Sequence, residues 1–296
     1  VTTTIKTLIP DIYQLLREKH NGWFTTELAR QLSDDLSSRL RGQLGEKRHK
    51  PTLRMSGLGK RCPRALWYSI HHPELAEPIP PWAEVKFAFG HIIEGLTLTL
   101  VEATGHSVEG AQDELVFEGI TGHRDAVIDG CTVDIKSASS LSFQKFKSPD
   151  FALVDNFGYL EQLDSYTLAA ADDPLVLTKD KGYLLAVDKQ LGHMHLYEHH
   201  VTNERAEQLK SRISYYRTIV GQDHPPSCTC DVEEQANGNI KLGWRASYSP
   251  YKWECFPNLR AFKYAGGLEY LARVVKRPFN KYGPLPEIDR YGNTLY

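Results

Sequence analysis

The chain of 296 residues has no uninterrupted apolar run approaching the roughly 20 residues that a membrane-spanning helix needs, so no helix is expected to cross a bilayer. It has almost no net charge: 35 basic residues stand against 37 acidic ones, which excludes a uniformly basic nucleic-acid coat. Cysteines are few, five in all, odd in number and unevenly spaced, and Val1 to Glu18 lacks the basic, apolar, small-residue order of an export signal. Together these set the expectation of a reducing, cytoplasmic compartment and exclude a disulfide scaffold. Internal repeats and low-complexity tracts are absent. What remains is 41% hydrophobic and 24% charged, the composition of an ordinary globular protein, long enough for one large domain or two small ones.

The first 45 residues read as helical. Thr25-Thr26-Glu27 opens a segment with Leu28, Leu32, Leu36 and Leu40 at helical spacing. Glu84 to Thr104 reads as one helix stopped by Gly105, with Ile93, Leu96, Leu100 and Val101 on its buried side. In the middle, Leu115–Phe117, Asp125–Ile128 and Thr132–Ile135 read as short strands, and Tyr183–Val187 with His193–Tyr197 as a further hairpin. Helices are expected over 158–171 and 203–220. The order helix, strands, helix, strands, helix predicts an α/β core with a mixed central sheet flanked by helices. Residues 1–55 are expected to form a helical N-terminal elaboration and 56–222 the core. Residues 223–296 are expected to form a Cys- and aromatic-rich C-terminal elaboration, irregular and packed on the core by Trp244, Tyr248, Tyr251, Trp253, Phe256, Phe262 and Tyr264.

The neutral total hides an asymmetry. Between Arg39 and Arg64 nine basic residues face the single acid Glu46, a local charge of +8. Arg54, Lys60, Arg61 and Arg64 in that stretch, with Arg124 further on, are candidate contacts to a phosphate backbone, whose counterions Lys and Arg replace. A solvated loop is the plain alternative. The remainder of the chain must be acidic by compensation.

The most informative segment runs from Gly122 to Lys136. Asp129-Gly130 is a strong two-residue hairpin turn. With those two residues as the loop, Ile128 pairs with Cys131, Val127 with Thr132, Ala126 with Val133, and Asp125 with Asp134. Opposed residues share a sheet face about 4.5–5.5 Å apart. Two carboxylates so placed repel each other unless a divalent cation lies between them, and hard oxygen ligands of this kind suit Mg²⁺ or Mn²⁺. Lys136 follows Asp134 by two and points to the same face, where its ammonium can orient water or stabilise charge on a phosphate. A solvated Asp/Lys ladder explains Lys136 but not the opposed aspartates.

Asp125 followed by Asp134-x-Lys136 resembles the core motif of the PD-(D/E)XK nucleases. Gly90 with Glu94, within Phe89-Gly90-His91-Ile92-Ile93-Glu94, is similar to the first motif of the RecB-like and lambda-exonuclease-like branch, and Gln162-Leu163-Asp164-Ser165-Tyr166 to its Q-x-x-x-Y signature. The motifs stand in family order over roughly residues 56–170. The resemblance implies a restriction-endonuclease-like core and metal-dependent hydrolysis of DNA, most simply by an exonuclease of recombination, repair or phage DNA metabolism. Asp125, Asp134, Glu94 and the Ile135 carbonyl would hold the metal. Lys136 would position the attacking water, and Gln162 and Tyr166 would bond DNA or the lysine. An endonuclease, or a non-catalytic DNA-binding protein that kept the fold, are the alternatives. DNA is the implied partner; a recombinase or single-strand annealing protein and self-assembly are left open.

Cys62-Pro63-Arg64 resembles the C-P-R segment of the iron–sulfur members of that branch, which add C-x-x-C and a further cysteine near the C-terminus to hold a [4Fe–4S] cluster. Here Ala246 and Ser249 stand at the first two of those positions and Cys255 at the last, while Cys228-Thr229-Cys230 lies upstream. Three readings stay open. The cluster is lost; or Cys62, Cys228, Cys230 and Cys255 bind a cluster or Zn²⁺ in an altered arrangement; or the cysteines are small apolar residues.

Overall fold

Asp129 and Gly130 make the expected turn, both with positive φ, 49° and 73°, as a type I′ hairpin requires. The strands on either side pair antiparallel with Ile128 opposite Cys131, Val127 opposite Thr132 and Ala126 opposite Val133. This hairpin is the start of the central sheet in a computed structural model that describes residues 3–18, 22–45, 51–59 and 62–295.

In chain order the helices are α1 (Leu8–Arg17), α2 (Thr26–Leu44), α3 (Pro63–His71), α4 (Pro81–Ala103), α5 (Ser140–Phe146), α6 (Phe151–Val154), α7 (Tyr159–Ala169), α8 (Asn203–Val220), α9 (Trp244–Ser247) and α10 (Lys252–Cys255). The strands of the first half are β1 (Val108–Glu109), β2 (Glu114–Phe117), β3 (Ile120–His123), β4 (Ala126–Ile128), β5 (Cys131–Ala138), β6 (Lys181–Asp188) and β7 (Met194–His200). Those of the second are β8 (Val232–Glu234), β9 (Ile240–Leu242), β10 (Arg260–Tyr264), β11 (Gly267–Arg273), β12 (Phe279–Asn280), β13 (Gly283–Pro284) and β14 (Glu287–Ile288). None of the described helices is long and apolar enough to cross a membrane.

The chain forms two units, residues 1–59 with 80–212, and residues 60–79 with 213–296. The first holds a mixed five-stranded sheet in the order β1-β4-β5-β6-β7. Only β5 and β6 run parallel; α5, α6 and α7 supply the crossover between them, as a parallel pair demands. Side chains alternate along β6: Tyr183 and Leu185 join one cluster with Leu98 and Val101 of α4 and Leu8 and Ile12 of α1. Leu184 and Ala186 join the other with Phe143, Phe146, Leu160 and Leu163. The sheet is therefore covered by helices on both faces, an α/β architecture. Leu8 and Ile12 are fully buried, so α1 belongs to the core rather than decorating it. Leu28, Leu32, Leu36 and Leu40 of α2 are half-buried, and α2 lies tight on α4: a Cβ on Gly95 would meet Asp35 Oδ2 at 2.9 Å and Leu36 Cδ2 at 3.1 Å.

The second unit corrects the expectation of an irregular C-terminal part. It holds an antiparallel sheet in the order β14-β10-β11-β9-β8. Leu242, Ala246 and Leu259 bury against Cys230, Trp253 and Phe256, and Phe262, Leu271 and Leu285 bury against Tyr264. Of the aromatics expected to pack, Phe262 and Tyr251 are buried, whereas Tyr248 is exposed. Several of these strands are two or three residues long, too short to show an alternation in the sequence. Residues 62–79 fall with this unit. Trp67 Nε1 donates to the Gln222 carbonyl at 2.8 Å, and Trp253 Nε1 donates to Glu77 Oε1 at 3.2 Å.

Candidate active site

β5 carries Asp134 and Lys136 on one face, two residues apart. Asp134 is buried, and its Oδ2 lies 2.6 Å from Lys136 Nζ, a contact of charge with no aligned donor, since that oxygen makes no hydrogen bond. The pairing of β4 with β5 ends at Ala126–Val133. Asp125 leaves the ladder just beyond, and its Oδ2 accepts from the Ile135 N–H at 2.6 Å. Asp125 thus lies against β5 through its side chain, and the expected cross-strand pairing of Asp125 with Asp134 is not formed.

α7 completes this face. It begins where the Asp155 carboxylate accepts from the N–H groups of Gly158 and Leu160, both at 2.9 Å. Gly158 has φ 74°, and a Cβ on Gly59 would lie 2.5 Å from its Cα; two glycines meeting there let the helix start close in. One turn on, Gln162 Oε1 accepts from Lys136 Nζ at 3.1 Å, and Gln162 Nε2 donates to Tyr166 Oη at 2.8 Å. Gln162 and Tyr166 therefore act on the lysine, fixing its position. The Lys136 ammonium also sits 4.9 Å from the centre of the Tyr159 ring, a contact with no sequence signal beyond the family order of the neighbouring motif.

Glu94 reaches the site from α4 but is turned toward two partners that the sequence did not reveal. Arg39 Nη1 of α2 makes a short ion pair with it, Gln112 Nε2 donates to it at 2.7 Å, and Arg39 Nε also donates to Asp35 at 2.6 Å. Arg39 opens the basic stretch that ends at Arg64, but its side chain is 8% exposed and points inward.

Burial, then the Asp134 and Glu94 charges, push the Asp125 carboxyl well above its ordinary range, and burial pushes Asp134 up. Burial also raises Glu94, against the pull of Arg39. Burial works to lower the Lys136 ammonium, and the facing Asp134 and Asp125 more than reverse it, so the lysine stays protonated. Because the folded aspartates bind protons more tightly than unfolded ones, the metal-free fold is stabilised at low pH. That stability is lost as pH rises from about 4 through the raised folded values. Accordingly, the melting temperature of the metal-free protein should fall across that window, and Asp125→Asn should raise it at neutral pH while removing activity. A melting temperature unchanged by Asp125→Asn in excess chelator would refute the strain.

The donor set fits a hard divalent cation. Asp134 is buried and Asp125 half-buried beside it, Asp134 Oδ2 has no hydrogen bond, and the third carboxylate, Glu94, pairs with Arg39.

Comparison with known proteins gives fold likeness of a distant kind. No protein-family model matches the chain, and no curated protein matches it in sequence. Among solved structures, an alkaline exonuclease from Laribacter hongkongensis is similar over 64% of this chain and 92% of its own, at 11% identity and a TM-score of 0.42. A phage-related exonuclease from Haemophilus somnus is similar over 58% and 94%, at 16% identity and a TM-score of 0.38. The protein SSO0001 is similar over 75% and 95%, at 18% identity and a TM-score of 0.40.

The residues expected to touch DNA divide three ways. Arg54 is exposed. Lys60 and Arg61, like 46–50 of the basic stretch, lie outside the described residues. Arg64 and Arg124 are engaged elsewhere. Arg64, in the second unit, donates to the carbonyls of Glu254 at 3.2 Å and Pro226 at 3.1 Å. Arg124 is 1% exposed; it donates to the Gly110 carbonyl at 3.0 Å and pairs with Asp113 and Asp173. A guanidinium whose donors are spent inside the fold is a structural cation, not a phosphate contact, and the expectation for Arg124 is corrected accordingly.

Cys62, Cys228, Cys230 and Cys255, all in the second unit, come together with every Sγ within 4.8 Å of the others. All four are free thiols. Cys131 stands apart on β5, buried in the sheet's core.

Proposed function

We propose that the chain is a divalent-metal-dependent deoxyribonuclease, an exonuclease acting on DNA ends in recombination, repair or phage DNA metabolism. The observation that supports this best is the linked set Asp134, Lys136, Gln162 and Tyr166, with Asp125 against the same strand. A structural sheet gains nothing from a buried and a half-buried carboxylate beside an ammonium, whereas hydrolysis of a phosphodiester needs both signs of charge at one point.

In this reading Asp125, Asp134, Glu94 and the Ile135 carbonyl would hold Mg²⁺ or Mn²⁺, which would supply Lewis acidity toward the phosphate and a more acidic bound water. Glu94 would have to leave its pairing with Arg39 to serve as a ligand. Lys136, held protonated by its carboxylates, donates hydrogen bonds: to the attacking water, or to the phosphate oxygen as charge builds there. It is therefore a positioning and charge-stabilising group rather than the base. Gln162 fixes the ammonium through Oε1, and Tyr166 fixes Gln162, so neither rotates away between turnovers. Arg54, Lys60 and Arg61 remain the proposed phosphate contacts.

The test is cleavage of end-labelled linear duplex. Chelator should abolish it and Mg²⁺ or Mn²⁺ restore it; cleavage persisting in excess chelator would remove the metal from the scheme. Linear DNA degraded while covalently closed circles survive is the expected result for an exonuclease, and nicking of the circles would replace it with the endonuclease reading.

A further inference from the structure

The geometry points to a single tetrahedral zinc ion held by Cys62, Cys228, Cys230 and Cys255, in place of an iron–sulfur cluster. Cys62 Sγ and Cys255 Sγ are 3.8 Å apart, and no pair of the four exceeds 4.8 Å. A zinc–thiolate bond of about 2.3 Å places tetrahedral ligands about 3.8 Å from one another. A cubane cluster interposes four irons and four sulfides and holds its thiolates much farther apart, so this cage is too small for it. The sequence agrees. The C-x-x-C pair of the cluster-binding pattern is replaced by Ala246 and Ser249, and Ala246 is now buried among apolar neighbours of the second unit. The thiols that close the cage come instead from Cys228-Thr229-Cys230, ahead of β8.

Three separate segments meet at the cage: the residue before α3, the stretch before β8, and the end of α10. The surroundings hold them in place. Arg64 binds the carbonyls of Glu254 and Pro226, one next to Cys255 and the other two residues before Cys228. The Cys230 N–H points to Cys228 Sγ at 3.5 Å, a donor to sulfur of the kind that supports a thiolate ligand. Sulfurs at 3.8 Å are well beyond the roughly 2.05 Å of a disulfide. Four cysteines fill all four positions of a tetrahedron, leaving none open for water or substrate, so the ion is structural: it ties the start of α3 to the C-terminal sheet, and is inert to redox change.

The full-length protein, purified from zinc- and iron-supplemented cells without chelator, should contain about one zinc per chain. It should contain no iron and no acid-labile sulfide. Replacement by Co²⁺ should give the intense visible bands of a tetrahedral tetrathiolate. Cys255→Ser and Cys228→Ser should each lose the bound zinc, whereas Cys131→Ser should keep it. Asp134→Ala should keep it too, which separates this site from the nuclease reading: zinc retained with no DNA cleavage by the wild-type protein in Mg²⁺ or Mn²⁺ would leave the zinc site standing and remove the nuclease. A brown protein with iron and labile sulfide would overturn the proposal. So would metal-free wild-type protein with four rapidly titrating thiols, or a disulfide among the four. If the serine variants do not fold, the metal content and cobalt spectrum of the wild type still decide.

Discussion

Lys136→Ala is expected to keep the fold and to lower metal-dependent DNA hydrolysis by about 10³-fold or more. Its ammonium lies against Asp134 on β5, and through Gln162 it joins that strand to α7. Removing it leaves the developing charge on the phosphate without its donor, a loss of about 4 kcal/mol at the transition state. Lys136→Arg should recover little, because the planar guanidinium does not fit the seat of a compact ammonium above the Tyr159 ring. Asp134→Ala should have an equally large effect by removing a metal ligand. DNA affinity measured in Ca²⁺ should survive the Lys136 change, so the defect lies in turnover. Full activity of well-purified Lys136→Ala protein would refute the assignment, and a collapsed melting curve would recast the lysine as a structural residue.

Arg124→Ala should act in the opposite way, on stability before function. The guanidinium is buried between Asp113 and Asp173 and also caps the Gly110 carbonyl. Truncation leaves Asp173 largely buried without its cation, and opens a cavity as large as the lost side chain. Breaking one side of a buried ion pair costs about 3–5 kcal/mol, and the exposure of Asp113 puts the expectation at the lower end. Chemical denaturation, with the transition midpoint falling and its slope unchanged, is the measurement. A variant with undiminished stability but weaker DNA binding would restore Arg124 to the phosphate contacts. The same assay on Arg54→Ala should show the reverse pattern, since that residue is exposed.

Local chemistry made the central hairpin legible. Asp129-Gly130 allows one tight turn, and once the turn is set the register of Ile128 to Ala126 follows by counting. Helix α8 was legible for a similar reason: its start and length lie in the local sequence, and the structure gives it as Asn203–Val220. Arg124 was misread, and the inward turn of Arg39 was not visible, because charge in a sequence has no direction. A basic residue looks the same whether it faces solvent or a buried carboxylate, and the partners Glu94 and Asp173 lie 55 and 49 residues away. The C-terminal sheet was missed because β8, β9 and β14 are only two or three residues long and the longer β10 and β11 do not alternate between buried and exposed positions, so neither kind carries a period to detect.

The sequence by itself determined the turn, the strand that carries Asp134 and Lys136 on one face, and the helical spacing that puts Gln162 and Tyr166 side by side, because each rests on contacts within a few residues. Only the tertiary structure decided which partners those side chains take: Gln162 on Lys136, Arg39 on Glu94, and the four cysteines in one cage. Those choices depend on how buried charges and thiols are satisfied across long separations in the chain, which packing alone resolves.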